Sequence, residues 1–347
     1  MRSQQSVTND LPILLEVQNL SVGFVIRSQV NRAIEALSLS VHHGETVAIV
    51  GESGSGKSVT SLAIMGLIRK PGVLRSGKVM LHGKDLLAMS SQQRRRYLGS
   101  DISMIFQEPT VSLNPSYTVG DQITEVLRLH LGMTRVESKN RALQLLHEVG
   151  LSDPDRCLKS WPHQLSGGMN QRVMIAMAIS CNPQLLIADE PTTALDVTVQ
   201  AQILALLHRL QKKNNMGIIF ITHDLLLLPG IAHQVVVMYA GQVVESCKVD
   251  DLFEQPLHPY TEALLRSSPT GLAGNKQRLP TIKGMPPRAG EYITGCRFHT
   301  RCNYASEHCR ERTPQLESGV HSSSRFVRCF HPLNEERSMS SVNAGKA

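Results

Sequence analysis

Aromatic side chains are scarce in this sequence. Phe, Tyr and Trp make up 4% of 347 residues, with a single tryptophan, too few for the stacking platforms on which many single-strand nucleic-acid binders lay their bases. No apolar run approaches the roughly 20 residues of a membrane-spanning helix. Met1 to Asp10 is polar and lacks a signal-peptide core, so the expectation is a soluble, cytoplasmic chain. Cysteine is sparse until the last quarter: Cys157, Cys181 and Cys247 stand apart, which argues against a disulfide framework and leaves each as a small buried thiol. No internal repeat is visible, and basic residues are scattered except for Arg94-Arg95-Arg96, read as a solvated loop or helix face. The formal charge of +7 suits phosphate ligands, nucleic acid or an anionic surface without choosing among them.

What is present begins with Gly51-Glu52-Ser53-Gly54-Ser55-Gly56-Lys57-Ser58. This is a glycine phosphate loop, G-x-x-x-x-G-K-[ST], and its context fits: Thr46–Val50 reads as a buried strand and Ser58–Gly66 as a helix. Glycines let successive N–H groups face a polyphosphate, and the helix start adds its positive dipole end. Lys57 supplies a mobile cation for the β- and γ-phosphates, and Ser58 a hydroxyl for Mg²⁺.

Around this loop the chain reads as α/β. Ile13 to Val41 carries an antiparallel hairpin pattern, with Phe24 late in its first run, and Gly77–Gly83 reads as a short strand and turn. Helical spacing dominates from Thr118, which predicts an inserted helical subdomain over about 107–180. Buried strands then return at Gln184–Asp189, Gly217–Thr222 and Gln234–Tyr239, with an amphipathic helix at Val197–Lys212. Strands separated by helices imply a mainly parallel sheet with its ligand at the strands' carboxyl ends. The expected division is a nucleotide-binding domain over 1–268, a Cys-containing appendage over 269–332 and a disordered tail over 333–347, since periodicity fades after about Pro269.

Four features face the question of what happens at the γ-phosphate. Asp189, at the end of a buried strand, suits the Mg²⁺ shell, and Glu190 beside it suits orienting and deprotonating a water. His223, at the end of another strand, suits a hydrogen bond to the γ-phosphate. Gln107 follows a third and suits sensing metal and water. Leu165-Ser166-Gly167-Gly168 ahead of a helix makes a second anion-binding helix start, with Ser166 as its cap.

Phosphate loop, Gln107, Leu165–Gly168, Asp189-Glu190, Ala194-Leu195-Asp196 and His223, in this order, resemble the nucleotide-binding subunit of an ATP-binding-cassette (ABC) transporter. The resemblance covers roughly 14–260. It implies a P-loop ABC-type domain, with an antiparallel subdomain and a helical subdomain beside the parallel sheet, that binds ATP and Mg²⁺ and hydrolyses ATP. Two such domains pair head to tail, so ATP held by Gly51, Gly54, Gly56, Lys57 and Ser58 of one is capped by Ser166 and Gly168 of the other. Phe24 matches the aromatic that stacks on adenine, Gln107 the loop that reaches the membrane subunits, Asp196 the loop crossing the dimer interface, and His223 the switch histidine. Asn170 departs from the branch pattern, in which a basic residue commonly follows the methionine.

Phe106–Pro115, Pro191–Gln200 and above all Pro256-Leu-His-Pro-Tyr-Thr-Glu-Ala-Leu-Leu265 resemble the peptide-importer branch, with its dipeptide, oligopeptide, nickel and glutathione members. That branch implies a second ATPase subunit, two membrane permeases and an extracytoplasmic solute-binding protein, on the cytoplasmic face of the bacterial inner membrane. No nucleic acid is expected. The alternative is a soluble ABC ATPase of repair or translation, whose usual second cassette, coiled coil or zinc insertion is not seen here. Finally, Cys296, Cys302, Cys309 and Cys329 are spaced C-x5-C-x6-C-x19-C. Four thiolates hold either Zn²⁺ or an iron–sulfur cluster, and the resemblance favours [4Fe-4S].

Overall fold

The computed structural model describes residues 12–27, 29–193, 195–268, 280–287, 291, 293–318 and 324–333. The readings of Met1–Asp10 and of the tail beyond Leu333 lie outside them. The chain forms two compact units. One comprises residues 1–17, 40–45 and 78–219, the other 18–39, 46–77 and 220–347, and the chain passes between them within the strand Gly217–Thr222.

In the second unit every residue of the strand Thr46–Val50 is buried. It runs parallel to Gln234–Tyr239, pairing Val47 with Gln234 and Val50 with Val237, which suits continuous β-branched runs covered on both faces. His233 anchors the start of this pair: its Nδ1 accepts from Thr46 N–H at 3.0 Å. Gln234–Tyr239 pairs antiparallel with Gln242–Lys248, with a bulge between Val243 and Glu245. The C-terminal region then extends the same sheet, Phe326–Val327 pairing with Gln242–Lys248 and Glu317–Ser318 with Phe326–Val327. Glu245, fully buried, accepts from Leu257 N–H (2.9 Å), His258 N–H (2.8 Å) and Arg325 (3.1 Å). That carboxylate holds the start of the helix Pro259–Ser267 against the sheet.

In the first unit Ile102–Ile105 and Leu185–Asp189 are buried, parallel neighbours, with Ile102 opposite Leu185 and Ile105 opposite Ala188. Helices occupy much of 109–179. Val119–Leu131 and Arg135–Glu148 each open on a reciprocal cap, Thr118 with Asp121 and Thr134 with Glu137, so two of the orphan N–H groups at each start are satisfied. Gly132, at φ +64°, turns the chain between them. The arginine run lies at the end of a short helix, Ser91–Arg94. Among the described residues no helix is long and apolar enough to cross a membrane.

Candidate nucleotide site and the cysteine segment

The predicted site residues fall into two sets, one in each unit. In the second unit the buried strand delivers the phosphate loop, and the helix Lys57–Ile64 leaves it. Gly51 and Gly56 have φ of +150° and +104°. A Cβ on Gly51 would sit 2.2 Å from the Met238 carbonyl oxygen and one on Gly56 2.9 Å from that of Ala33, so only glycine brings the backbone this close. Gly54, at φ +80°, faces open space and is exposed with Ser53. Lys57 is buried, its Nζ donating to the carbonyls of Gly51 (2.7 Å) and Glu52 (3.1 Å). The Ser55 hydroxyl is buried with no hydrogen-bond partner, a donor that a phosphate oxygen would satisfy. The loop therefore fits a polyphosphate: a crowded back, an open front, amides and an unpartnered hydroxyl. Phe24 is half-buried, its Cε1 3.0 Å from where a Cβ on Gly72 would stand. His223 is exposed at the end of Gly217–Thr222, while Asp224 beside it caps the turn Leu225–Leu227.

In the first unit Asp189 is buried at the end of its strand, and Glu190 leaves in the left-handed conformation, φ +46°. That costs a non-glycine residue about 1–2 kcal/mol, an expense characteristic of functional positions. One carboxylate oxygen of Glu190 accepts from Gln107 Nε2 at 3.1 Å and from Thr193 Oγ1 at 2.9 Å. The acid and the glutamine singled out in the sequence are thus brought together, with Thr193 as a partner that the sequence reading passed over. Ser166 caps the helix Gly167–Ile179, accepting from Met169 N–H at 3.3 Å. Ser166 and Gly167 are exposed, and Gly168 lies against Val199, which a Cβ would approach to 3.0 Å. Asp196 caps the helix Val197–Asn214 through Val199 N–H at 2.9 Å. The signature helix start and the Asp196 helix start therefore sit side by side. Asn170 faces inward, 2% exposed, its Nδ2 donating to the Pro162 carbonyl at 2.9 Å. Its side chain serves the packing of the signature loop.

The C-terminal cysteines come together. Cys296, Cys302, Cys309 and Cys329 line one small cavity of about 10 Å³ with His258 and Phe298, room for about one water at most. Among the described residues no three His, Cys, Asp or Glu side chains are grouped so as to hold a metal ion. Burial, with the neighbouring cysteines adding to it, pushes Cys296 up to about 11 and Cys329 to about 12, and raises Cys302. Tyr304 N–H and His331 N–H each donate to a thiol, those of Cys302 and Cys329, at 3.4 Å.

This segment also reaches the phosphate loop, a connection no sequence pattern signals. Arg301, its side chain 3% exposed, grips both oxygens of Glu52, Nη1 to Oε2 at 2.6 Å and Nη2 to Oε1 at 3.0 Å. The Tyr260 hydroxyl accepts from Glu52 N–H at 2.8 Å.

Comparison with known proteins matches residues 34–193 to the ABC transporter family and residues 244–309 to the oligopeptide/dipeptide transporter C-terminal region. The chain is 53% identical to the dipeptide transport ATP-binding protein DppD of Haemophilus influenzae over 323 residues, 93% of this chain and 97% of that protein. The chain belongs to the ABC transporter family, as an ATP-binding subunit of its peptide branch. The ABC family member is likewise 51% identical to the oligopeptide transport ATP-binding protein AppD of Bacillus subtilis, over 91% of this chain and 96% of that one. Among solved structures, the ATP-binding cassette MJ0796, a dimer in a post-hydrolysis state with ADP and Pi bound, superposes with a TM-score of 0.62 at 27% identity. It covers 68% of this chain and 98% of its own. The α/β P-loop fold and the class of activity, ATP hydrolysis coupled to transport, follow.

Proposed function

We propose that this chain is the subunit that binds and hydrolyses ATP to drive import of peptides. It would work at the cytoplasmic face of the bacterial inner membrane, with a second ATPase subunit, two permeases and an extracytoplasmic solute-binding protein. The observation that carries the catalytic reading is Glu190 held by Gln107 and Thr193 directly after a buried strand ending in Asp189. A carboxylate so oriented can take a proton from a water poised for in-line attack.

Gly51 to Ser58, Glu52 and Ser53 included, cradle the phosphates, with Lys57 turning from its carbonyls to them. Mg²⁺ would be held by Ser58, Gln107 and Asp189 and would supply charge neutralisation at the bridging oxygens. Phe24 stacks on adenine. Ser166, Gly167, Gly168 and Asp196 meet the partner subunit's nucleotide, and His223 contacts the γ-phosphate. In this reading residues 1–268 form the nucleotide-binding domain, 107–180 its helical subdomain and 269–332 the appendage.

We further propose a structural metal centre at Cys296, Cys302, Cys309 and Cys329, [4Fe-4S] in preference to Zn²⁺. Its support is the convergence of four thiols on one cavity and the N–H donors aimed at two of them, which favour thiolate. Anaerobic preparation with iron, sulfide and zinc assays tests this: stoichiometric zinc decides for zinc, and neither metal returns the cysteines to plain thiols.

The test of the whole is reconstitution with the permeases in vesicles. Dipeptide-loaded binding protein should stimulate ATP hydrolysis and peptide uptake together, and uptake of peptide without ATP consumption would reject the assignment.

A further inference from the structure

We propose that Arg301 is a positioning residue for the phosphate loop, clamping Glu52 so that the loop is held in the shape that receives ATP. The inference rests on the reading that Gly51 to Ser58 hold the phosphates.

A glycine-rich loop is costly to order, and Glu52 is the place where this one is tied. Its carboxylate meets the guanidinium in the fork-to-fork geometry that fixes direction as well as distance. Its N–H is given to Tyr260 and its carbonyl receives Lys57. Side chain, amide and carbonyl are therefore all committed before the exposed positions Ser53 and Gly54 begin. The guanidinium is itself immobilised: Nε donates to the Lys283 carbonyl at 3.0 Å and Nη1 to the Tyr239 hydroxyl at 3.3 Å. Arg301 ends the 3₁₀ turn His299–Arg301, between Cys296 and Cys302. Phe298, just ahead of it, packs on Tyr239 and Tyr260 with ring centroids 5.2 and 5.3 Å apart. A plain structural ion pair would be a weak contributor to stability. The location decides otherwise, since the acceptor belongs to the loop and the donor to a segment 249 residues away.

The test uses the full chain with Arg301→Met, Glu52→Gln and both together. Kd for Mg-ATP is measured well below the melting temperature, and KM and kcat in the assembled transporter. Each single variant should raise Kd about tenfold, equivalent to about 1.4 kcal/mol. The double variant should be no weaker than either single one, because both break the same tie. KM should move more than kcat. A folded Arg301→Met chain with wild-type Kd would overturn the proposal, as would additive effects in the double variant. If Arg301→Met does not fold, the isosteric Glu52→Gln carries the decision, and an unchanged Kd there overturns it equally. Lys57→Ala separates the levels: normal ATP binding by that variant removes the underlying reading and this inference with it, whereas lost binding beside unaffected Arg301 and Glu52 variants removes the inference alone.

Discussion

Replacing Glu190 by Gln isolates one property, the ability to take a proton. The amide has the size of the carboxylate, and its oxygen can still accept from Gln107 Nε2 and Thr193 Oγ1, now at 3.1 and 2.9 Å. The left-handed backbone at Glu190 is unaffected, since it belongs to the turn out of the strand. Position is thus kept and basicity lost. A positioned general base contributes about 10²–10⁴-fold, so kcat should fall by that factor, about 3–5 kcal/mol in barrier, with Kd for ATP changed by less than about threefold, under 1 kcal/mol. Phosphate release at saturating Mg-ATP in the assembled transporter reads the first, calorimetry the second, and size-exclusion with ATP should show dimers accumulating. A variant that turns over within about fivefold of wild type, a change of about 1 kcal/mol, would remove Glu190 from the base role.

Lys57→Ala should weaken ATP binding itself, checked by calorimetry, because the cation aimed at the β- and γ-phosphates is removed. With one phosphate loop and one signature per chain, a strictly monomeric preparation at high dilution should hydrolyse ATP far more slowly than the assembled transporter, measured by phosphate release. Stability should fall in mild acid through His258. Burial holds this imidazole down at about 3, below the ordinary value, so the folded state binds a proton less readily than the unfolded chain. Stability is full above about pH 6.5, the unfolded value, and this residue removes about 1.4 kcal/mol per pH unit between there and about pH 3. Thermal melts of the wild type and His258→Gln across that window check it, the variant showing the shallower slope.

Much of the site is legible in the sequence because it depends on local order. A β-branched run, a glycine loop and a helix start declare the phosphate cradle, and Ser166 declares a cap that the structure contains. Contacts between distant residues are not legible. Gln242-Val-Val-Glu-Ser-Cys-Lys248 has no clean alternation, because it is buried on both faces around a bulge and places Glu245 inside. Strands of two residues, such as Phe326–Val327, are too short for any periodicity and exist only because a sheet edge awaits them. The strand expected at Gly77–Gly83 runs from Gly72 to Leu81, its start concealed by polar and glycine residues. Arg301 gave no signal at all, being one arginine among several in an irregular segment.

That late sheet edge bears on how the protein is made. A ribosome delivers Gln242–Lys248 long before Phe326–Val327 and Arg325 leave the exit tunnel, so for that interval the nascent chain carries an open strand edge and a buried carboxylate at Glu245 without its cation. Open edges invite pairing with other chains, and partly made domains are the species most prone to it. Chains released near Ser268 should therefore aggregate or be degraded, so that only subunits translated to near the C-terminus reach the membrane.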